Sequence, residues 1–208
     1  MWALWSGNGR DVQSFLKVIA VLDLREKLIV RFATWEGIRP GEILALKFSD
    51  VDGDSVWIRR LYRGDVDSPK TRRSSRQVAL TKTTADMLKN WVEATSPGDS
   101  EAWLFPSANP TTPIRRDNVW RRSIEPKLRK HGLQWATFQV MRRTFATLSK
   151  QAGVDAHTRS AQMGNTVDVN ENEYAMSRFE DQLAAVRSLE AIIQQWEWGV
   201  LEVGGSPM

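Results

Sequence analysis

The chain has no cysteine, only two histidines and only two tyrosines in 208 residues, and each scarcity removes a class of chemistry. Without cysteine there is no disulfide, no thiolate nucleophile and no sulfur-ligated metal, and the composition fits a reducing cytoplasm. His131 and His157 lie far apart, and neither has a second ligand at helical or hairpin spacing, so no metal site is expected. A carboxylate-only magnesium site stays open, although no Asp/Glu cluster falls beside the basic segments. His157 follows GVDA at a helix start and reads as a surface or capping residue. There is no Gly-x-Ser-x-Gly elbow and no Gly-rich phosphate loop, which argues against serine hydrolysis and nucleotide hydrolysis. No nucleotide or other cofactor is expected. No apolar run approaches the roughly 18 residues a membrane span needs. The start, MWALWSGNGR, lacks a basic segment followed by a long apolar one, so it is not a secretory signal. It has no period and reads as a linker.

What is present is a hydrophobic content of 41%, enough for one substantial core, and a net charge of +4 with a pI near 9.6. The charge is uneven. Basic residues crowd into 59–76 and 115–130, while 168–202 is mostly acidic. A basic body suits a polyanion, because Lys and Arg release counterions when they replace them at phosphates. A solvated basic face that binds nothing is the plainer alternative.

Apolar periodicity predicts a mostly helical chain. Phe15, Val18, Ile19 and Leu22 form one stripe, and Leu24, Leu28, Val30, Phe32 and Trp35 a more continuously buried helix. Gly37 reads as the stop of that helix and Pro40 as the start of the next, over about 41–48 with Ile43, Leu44 and Leu46 inward. Arg39 is thereby held in a tight turn. Residues 55–61 and 75–80 alternate and read as strands, with Lys70 near the tip of the loop between them. Further helices are expected over 83–93, 117–130, 138–151, 156–163, near Tyr174, and over 179–195, with a possible third strand at 103–105. The expected class is α+β, mostly α-helical with a small antiparallel β-sheet. The last helix carries Phe179, Leu183, Val186, Leu189 and Ile193 on one side, for packing on its own core or on a neighbouring subunit.

With the other nucleophiles gone, tyrosine remains. Tyr62 ends a predicted strand and reads as packing, whereas Tyr174 follows the polar stretch NTVDVNENE. Arg142 lies on a predicted helix whose buried face is Met141, Phe145 and Leu148, and Arg143 points about 100° away from it. Planar guanidiniums suit a phosphate, since each gives two parallel hydrogen bonds without losing charge. Arg39 and Arg142, from distant parts of the chain, would together hold both non-bridging oxygens of one phosphate.

Four segments, EGIRPGEILALKFSDVD, SPKTRRSSRQVAL, FQVMRRTFATL and AGVDAHTRSAQMGNTVDVNENEYA, follow in order and spacing the catalytic domain of the tyrosine recombinases, the phage-integrase family. The resemblance runs from about residue 20 to 176. It implies a catalytic set of Arg39, Lys70, Arg142 and the nucleophile Tyr174, with Glu42 supporting the first turn and Gly164 matching the glycine of the usual Gly-His pair. Gln139 and Asn165 stand where the family usually has His, and His or Trp; an amide hydrogen-bonds a phosphate oxygen but shuttles no proton near neutral pH. Candidate DNA contacts are Arg72, Arg73, Arg115, Arg116, Arg121, Arg122 and Arg143. The resemblance further implies a 3′-phosphotyrosine intermediate with a free 5′-hydroxyl, double-stranded DNA as partner, and a tetramer on DNA. No metal, cofactor or membrane enters. Residues 1–178 are expected to form the catalytic domain, 179–208 a terminal helix and tail, and the family's N-terminal DNA-clamping domain is expected to be absent. Two readings stay open: a site-specific strand-cleaving recombinase, and a DNA-binding module of the same fold whose chemistry has lapsed. A basic helical protein unrelated to DNA would make the four ordered matches chance.

Overall fold

A computed structural model describes residues 10–67, 75–95, 98–165 and 179–203. The chain opens with α1 (Arg10–Ala20) and α2 (Leu24–Thr34). Leu28, Ile29, Val30, Phe32 and Ala33 of α2 are all fully buried, so apolar residues cover almost the whole circumference and other elements must surround it. Phe32 meets Phe105 edge-on, and Trp35, the residue that ends α2, meets Phe15 of α1 in the same way.

Next comes α3 (Pro40–Ile43), a single turn. Sequence periodicity predicts a helix to about residue 48; the helix instead ends at Ile43, and a 3-10 turn follows at Phe48–Asp50. Buried Asp50 draws the chain out of helix: it accepts from the Lys47 backbone at 2.8 Å and from Arg60 at 2.6 Å. A three-stranded antiparallel sheet then forms from β1 (Val51–Asp52), β2 (Ser55–Ile58) and, later in the chain, β5 (Arg76–Ala79). Val56 pairs with Val78 and Ile58 with Arg76, so Val56, Ile58 and Val78 face the core.

The strand expected over 55–61 is broken in two. Arg59 and Arg60 leave the ladder to reach Asp50, and Leu61–Tyr62 becomes β3, pairing with β4 (Val66–Asp67) as a separate hairpin. The expected third strand at 103–105 is only an isolated bridge between Lys47 and Trp103; β1 fills that role.

α4 (Lys82–Thr95) packs on α2. The helix expected over 117–130 is α5 (Arg116–Val119) and α6 (Glu125–Lys130), joined by a π-helical turn at Trp120–Ile124. Pro126 accounts for the widening, because it has no N–H to give and its ring would crowd the carbonyl four residues back. α7 (Phe138–Gln151) and α8 (Ala156–Met163) have the bounds the sequence predicts, set by N-cap bonds to Thr137 and Asp155. α9 (Phe179–Val203) lies against α1, α7, α8 and β5 of the same chain and buries Val186, Leu189 and Ile193. No described helix is long and apolar enough to cross a membrane.

Candidate active site

Two glycines let the site close. Gly37 ends α2 at φ 67°, and a Cβ there would stand 2.6 Å from the Phe145 ring, so α7 approaches the turn as closely as backbone allows. That approach brings the Gly37 carbonyl onto the guanidinium of Arg142, which donates to it. Gly164 ends α8 at φ 65°, where a Cβ would stand 2.5 Å from the Arg76 guanidinium carbon. The left-handed turn aims the last carbonyls of α8 at three arginines. Arg76 Nε donates to Gln162 O at 3.3 Å, Arg142 Nη2 to Met163 O at 3.4 Å and Arg39 Nη2 to Gly164 O at 2.8 Å. A helix C-terminus carries partial negative charge, so it both orients and attracts these cations.

Asn165 completes the arrangement. Its Oδ1 accepts from Arg39 Nη2 at 2.9 Å and from Arg142 Nη2 at 3.2 Å. Guanidiniums only donate, so whatever sits at that point must be an acceptor. Glu42 anchors the other side of Arg39, accepting from its backbone N–H at 3.1 Å and from Nη1 at 3.0 Å. Arg76 binds the same carboxylate through both terminal nitrogens, at 3.1 and 2.8 Å. Burial pushes the Glu42 carboxyl up, but the hydrogen bonds and charge of Arg76, then of Arg39, overcome it and hold it below the usual carboxylate range. Burial, then the charge of Arg39, lowers the Arg142 guanidinium to about 10, and it stays charged at neutral pH. Two guanidiniums thus bond one carboxylate, and a third, Arg142, feels its charge without touching it. The cluster is short of negative charge, and an anion would supply it.

Arg39 and Arg142 lie in an open cleft of about 970 Å³. Its far side is built from the β3–β4 turn, with Arg63, Gly64 and Asp65, and from the start of α5, with Arg115, Arg116, Asp117 and Asn118. Five arginines against two aspartates give the cleft the charge of a polyanion site.

Of the residues singled out in sequence, Arg39, Glu42, Arg142, Gly164 and Asn165 come together, and Arg115 and Arg116 face them across the cleft. Gln139 is exposed one turn before Arg142 on α7. Arg121, Arg122 and Arg143 are exposed but are not among the residues lining the cleft. Tyr62 is buried, on β3 at the cleft's edge. Lys70, Arg72, Arg73 and Tyr174, and the helix expected near Tyr174, lie outside the described residues. Sequence reasoning missed Arg63 and Arg76. For Arg76 a signal existed, a charged residue in an alternating strand, but its partner Glu42 is far off in the chain. Among the described residues no three His, Asp or Glu side chains group as metal ligands.

A sequence model of the phage integrase family matches residues 8–180, a span that includes every residue of this cluster. The chain belongs to the phage integrase family. Two relatives from Sinorhizobium fredii, “Putative integrase/recombinase y4eF” and “Putative integrase/recombinase y4qK”, are 26% and 27% identical to it over 155 residues. Those alignments cover 74% of this chain but 57% and 46% of the relatives, so the chain spans about half their length. Among solved structures, XerA recombinase aligns with a TM-score of 0.59 at 21% identity, over 90% of this chain and 61% of that one. The Tn1549 transposon integrase, solved in complex with transposon right end DNA, gives 0.62 at 20% identity, over 90% and 64%. The fold of this phage integrase family member is therefore that of tyrosine recombinase catalytic domains.

Proposed function

We propose that this chain cuts and rejoins duplex DNA at specific sites through a covalent bond to Tyr174. The observation that carries this reading is the shared acceptor. Arg39 and Arg142, from distant parts of the chain, donate to one oxygen, Asn165 Oδ1, beside an open basic cleft of about 970 Å³. A non-bridging phosphate oxygen has the same acceptor chemistry and adds the negative charge the cluster lacks.

In the proposed reaction the Tyr174 oxygen bonds to phosphorus and gives its phenolic proton to water, while the bond from phosphorus to the 5′-oxygen breaks. Lys70 gives that oxygen a proton, leaving a 3′-phosphotyrosine and a free 5′-hydroxyl. Charge grows on the non-bridging oxygens in the transition state, where Arg39 and Arg142 oppose it. Rejoining runs the same steps backwards with a different 5′-hydroxyl. The phosphodiester energy stays in the covalent bond, so rejoining needs no nucleotide. Exchange between duplexes takes a tetramer on DNA, and the enzyme works in the cytoplasm.

The test uses nicked duplexes tiled from the DNA flanking its gene. Wild-type protein is expected to form an SDS-resistant adduct that Tyr174→Phe abolishes and Tyr62→Phe retains. The chain has only these two tyrosines, so the pair of variants is decisive. An adduct surviving Tyr174→Phe overturns Tyr174 as nucleophile. Gln139 and Asn165 favour a second reading, a DNA-binding module without chemistry, because neither amide moves a proton. Such a module shifts DNA in a gel and never yields the adduct. Gln139→His is expected to raise cleavage without tightening binding if proton transfer is what the amide fails to supply.

A further inference from the structure

We propose that Arg76 is a positioning residue that fixes the phosphate-facing end of Arg39 by locking Glu42 between two guanidiniums; this rests on the strand-cleavage reading only for its kinetic consequence. Arg76 lies on β5, its side chain is 9% exposed, and it is not among the residues that line the open cleft. It cannot touch a substrate there. Among the described residues, the polar groups its side chain bonds all belong to the site: both oxygens of Glu42, and the carbonyl of Gln162 in the last turn of α8.

The geometry makes Arg76 the fixed member of the trio. Arg39 is more than a third exposed, with a long side chain that would otherwise sample many rotamers. Glu42 takes one oxygen to the Arg39 backbone and the other to the Arg39 side chain, and so sets where that guanidinium points. A carboxylate on a flexible stem does this only if its own plane is held. The two parallel bonds from Arg76 hold it, as a planar fork does and a lysine does not. Gly164 extends the constraint. Its missing side chain lets Arg76 lie against the α8 terminus, and the next residue, Asn165, shares its oxygen between Arg39 and Arg142. Arg76 therefore ties the turn before α3 to the turn after α8, the two loops that form the phosphate contact.

The experiment compares wild type with Arg76→Met, which keeps length and apolar bulk, and Arg76→Lys, which keeps charge but not the fork. The direct readout is the side-chain NMR of 15N-arginine-labelled full chain, with the Arg39 signal assigned by its loss in Arg39→Lys. The Arg39 Nη1–H that donates to Glu42 is expected to exchange with water about tenfold faster in Arg76→Met, while the Arg142 signal holds, because only the Glu42 side of the cluster is released. The kinetic readout is adduct formation on a nicked duplex. A misplacement of about 1 Å at the reacting centre costs on the order of 100-fold in rate, with duplex affinity moved less than about twofold. In a Glu42→Gln background Arg76→Met is expected to add no further loss, since both act on one side chain. Arg76→Lys should recover less than half of either loss. Unchanged Arg39 exchange in a folded Arg76→Met or Arg76→Lys protein overturns the proposal, as do additive losses in the double variant. A wild-type protein that forms no adduct on any duplex sinks strand cleavage instead, and the NMR arm still decides what Arg76 does.

Discussion

Glu36 and Glu42 flank the same turn, six residues apart, and both are almost fully buried at 0% and 6% exposure, yet they ionise in opposite directions. Glu42 is held below the ordinary carboxylate range, whereas Glu36 is raised to about 7. Burial pushes both up. What differs is the donors. Glu42 has two guanidiniums in direct contact. Glu36 has the Thr81 backbone N–H at 3.2 Å and the Thr81 hydroxyl at 3.0 Å, and the charge of Arg31 also lowers it, yet burial outweighs them all. Depth alone does not decide the charge of a buried acid; the balance between burial and the donors and cations set against it does. The two sites also differ in use. At Glu36 only Oε1 takes the Thr81 donors, and Oε2 is buried with no hydrogen-bond partner among the described residues. At Glu42 the arginines outnumber the carboxylate and leave positive charge at the cleft.

The strongest way to break this contrast is to neutralise Glu42. Glu42→Gln keeps the shape but leaves Arg76 buried without its counter-charge, and breaking a buried pair costs about 3–5 kcal/mol. The amide oxygen still accepts one bond, so the lower end, about 3 kcal/mol by urea unfolding at pH 7.5, is expected. Because the folded-state value is depressed, Glu42 contributes its stability above the ordinary carboxylate range and loses it as pH falls through the folded value. The cost of the variant should therefore shrink below pH ~4. A cost independent of pH would mean that packing, not charge, holds this turn.

Glu36 reverses the sign. Its folded value lies above the unfolded one, so stability is full below pH ~4.5 and declines as pH rises towards 7, where the core must accept a charge. From the model value of 4.5 to about 7 the loss is on the order of 3 kcal/mol. Glu36→Gln removes that titration. Relative to wild type, the variant should gain up to about 3 kcal/mol between pH 4.5 and 7 and nothing further above it. Parallel stability curves for the two proteins would show that Glu36 ionises normally and that the hydroxyl donors suffice.

The contrast also marks what the sequence lets a reader see. α7 and α8 were legible to the residue, because Thr137, Asp155 and Gly164 are strong local punctuation. Arg39 in its turn and Arg142 beside Met141 and Phe145 were legible for the same reason: each follows from a local period or a local break. Arg76 was not, since an inward charge on a strand is explained only by a carboxylate elsewhere in the chain. The strand over 55–61 failed similarly. Alternation described it, but Asp50 took Arg59 and Arg60 away, and strand preference yields to such partners. Both buried glutamates look alike in sequence, and their opposite states come entirely from what folding sets against them.

The smallest expected effect sharpens the comparison from the cationic side. Arg142 is desolvated and faces the charge of Arg39, which together lower it to about 10. A cation so placed costs stability at neutral pH, and an anion bound beside it restores what was lost. Inorganic phosphate at about ten times its dissociation constant stabilises by roughly 1.4 kcal/mol, or about 4 °C in Tm for a chain of this size. That shift should largely vanish in Arg142→Gln and fade in wild type as pH rises through 10, where the guanidinium begins to lose its proton. Glu36→Gln should leave it intact, because the interior network has no excess charge to offer. If phosphate stabilises Arg142→Gln as well as wild type, the anion is binding elsewhere on the basic surface, and the clamp built by Arg39, Arg142 and Asn165 is not a phosphate site.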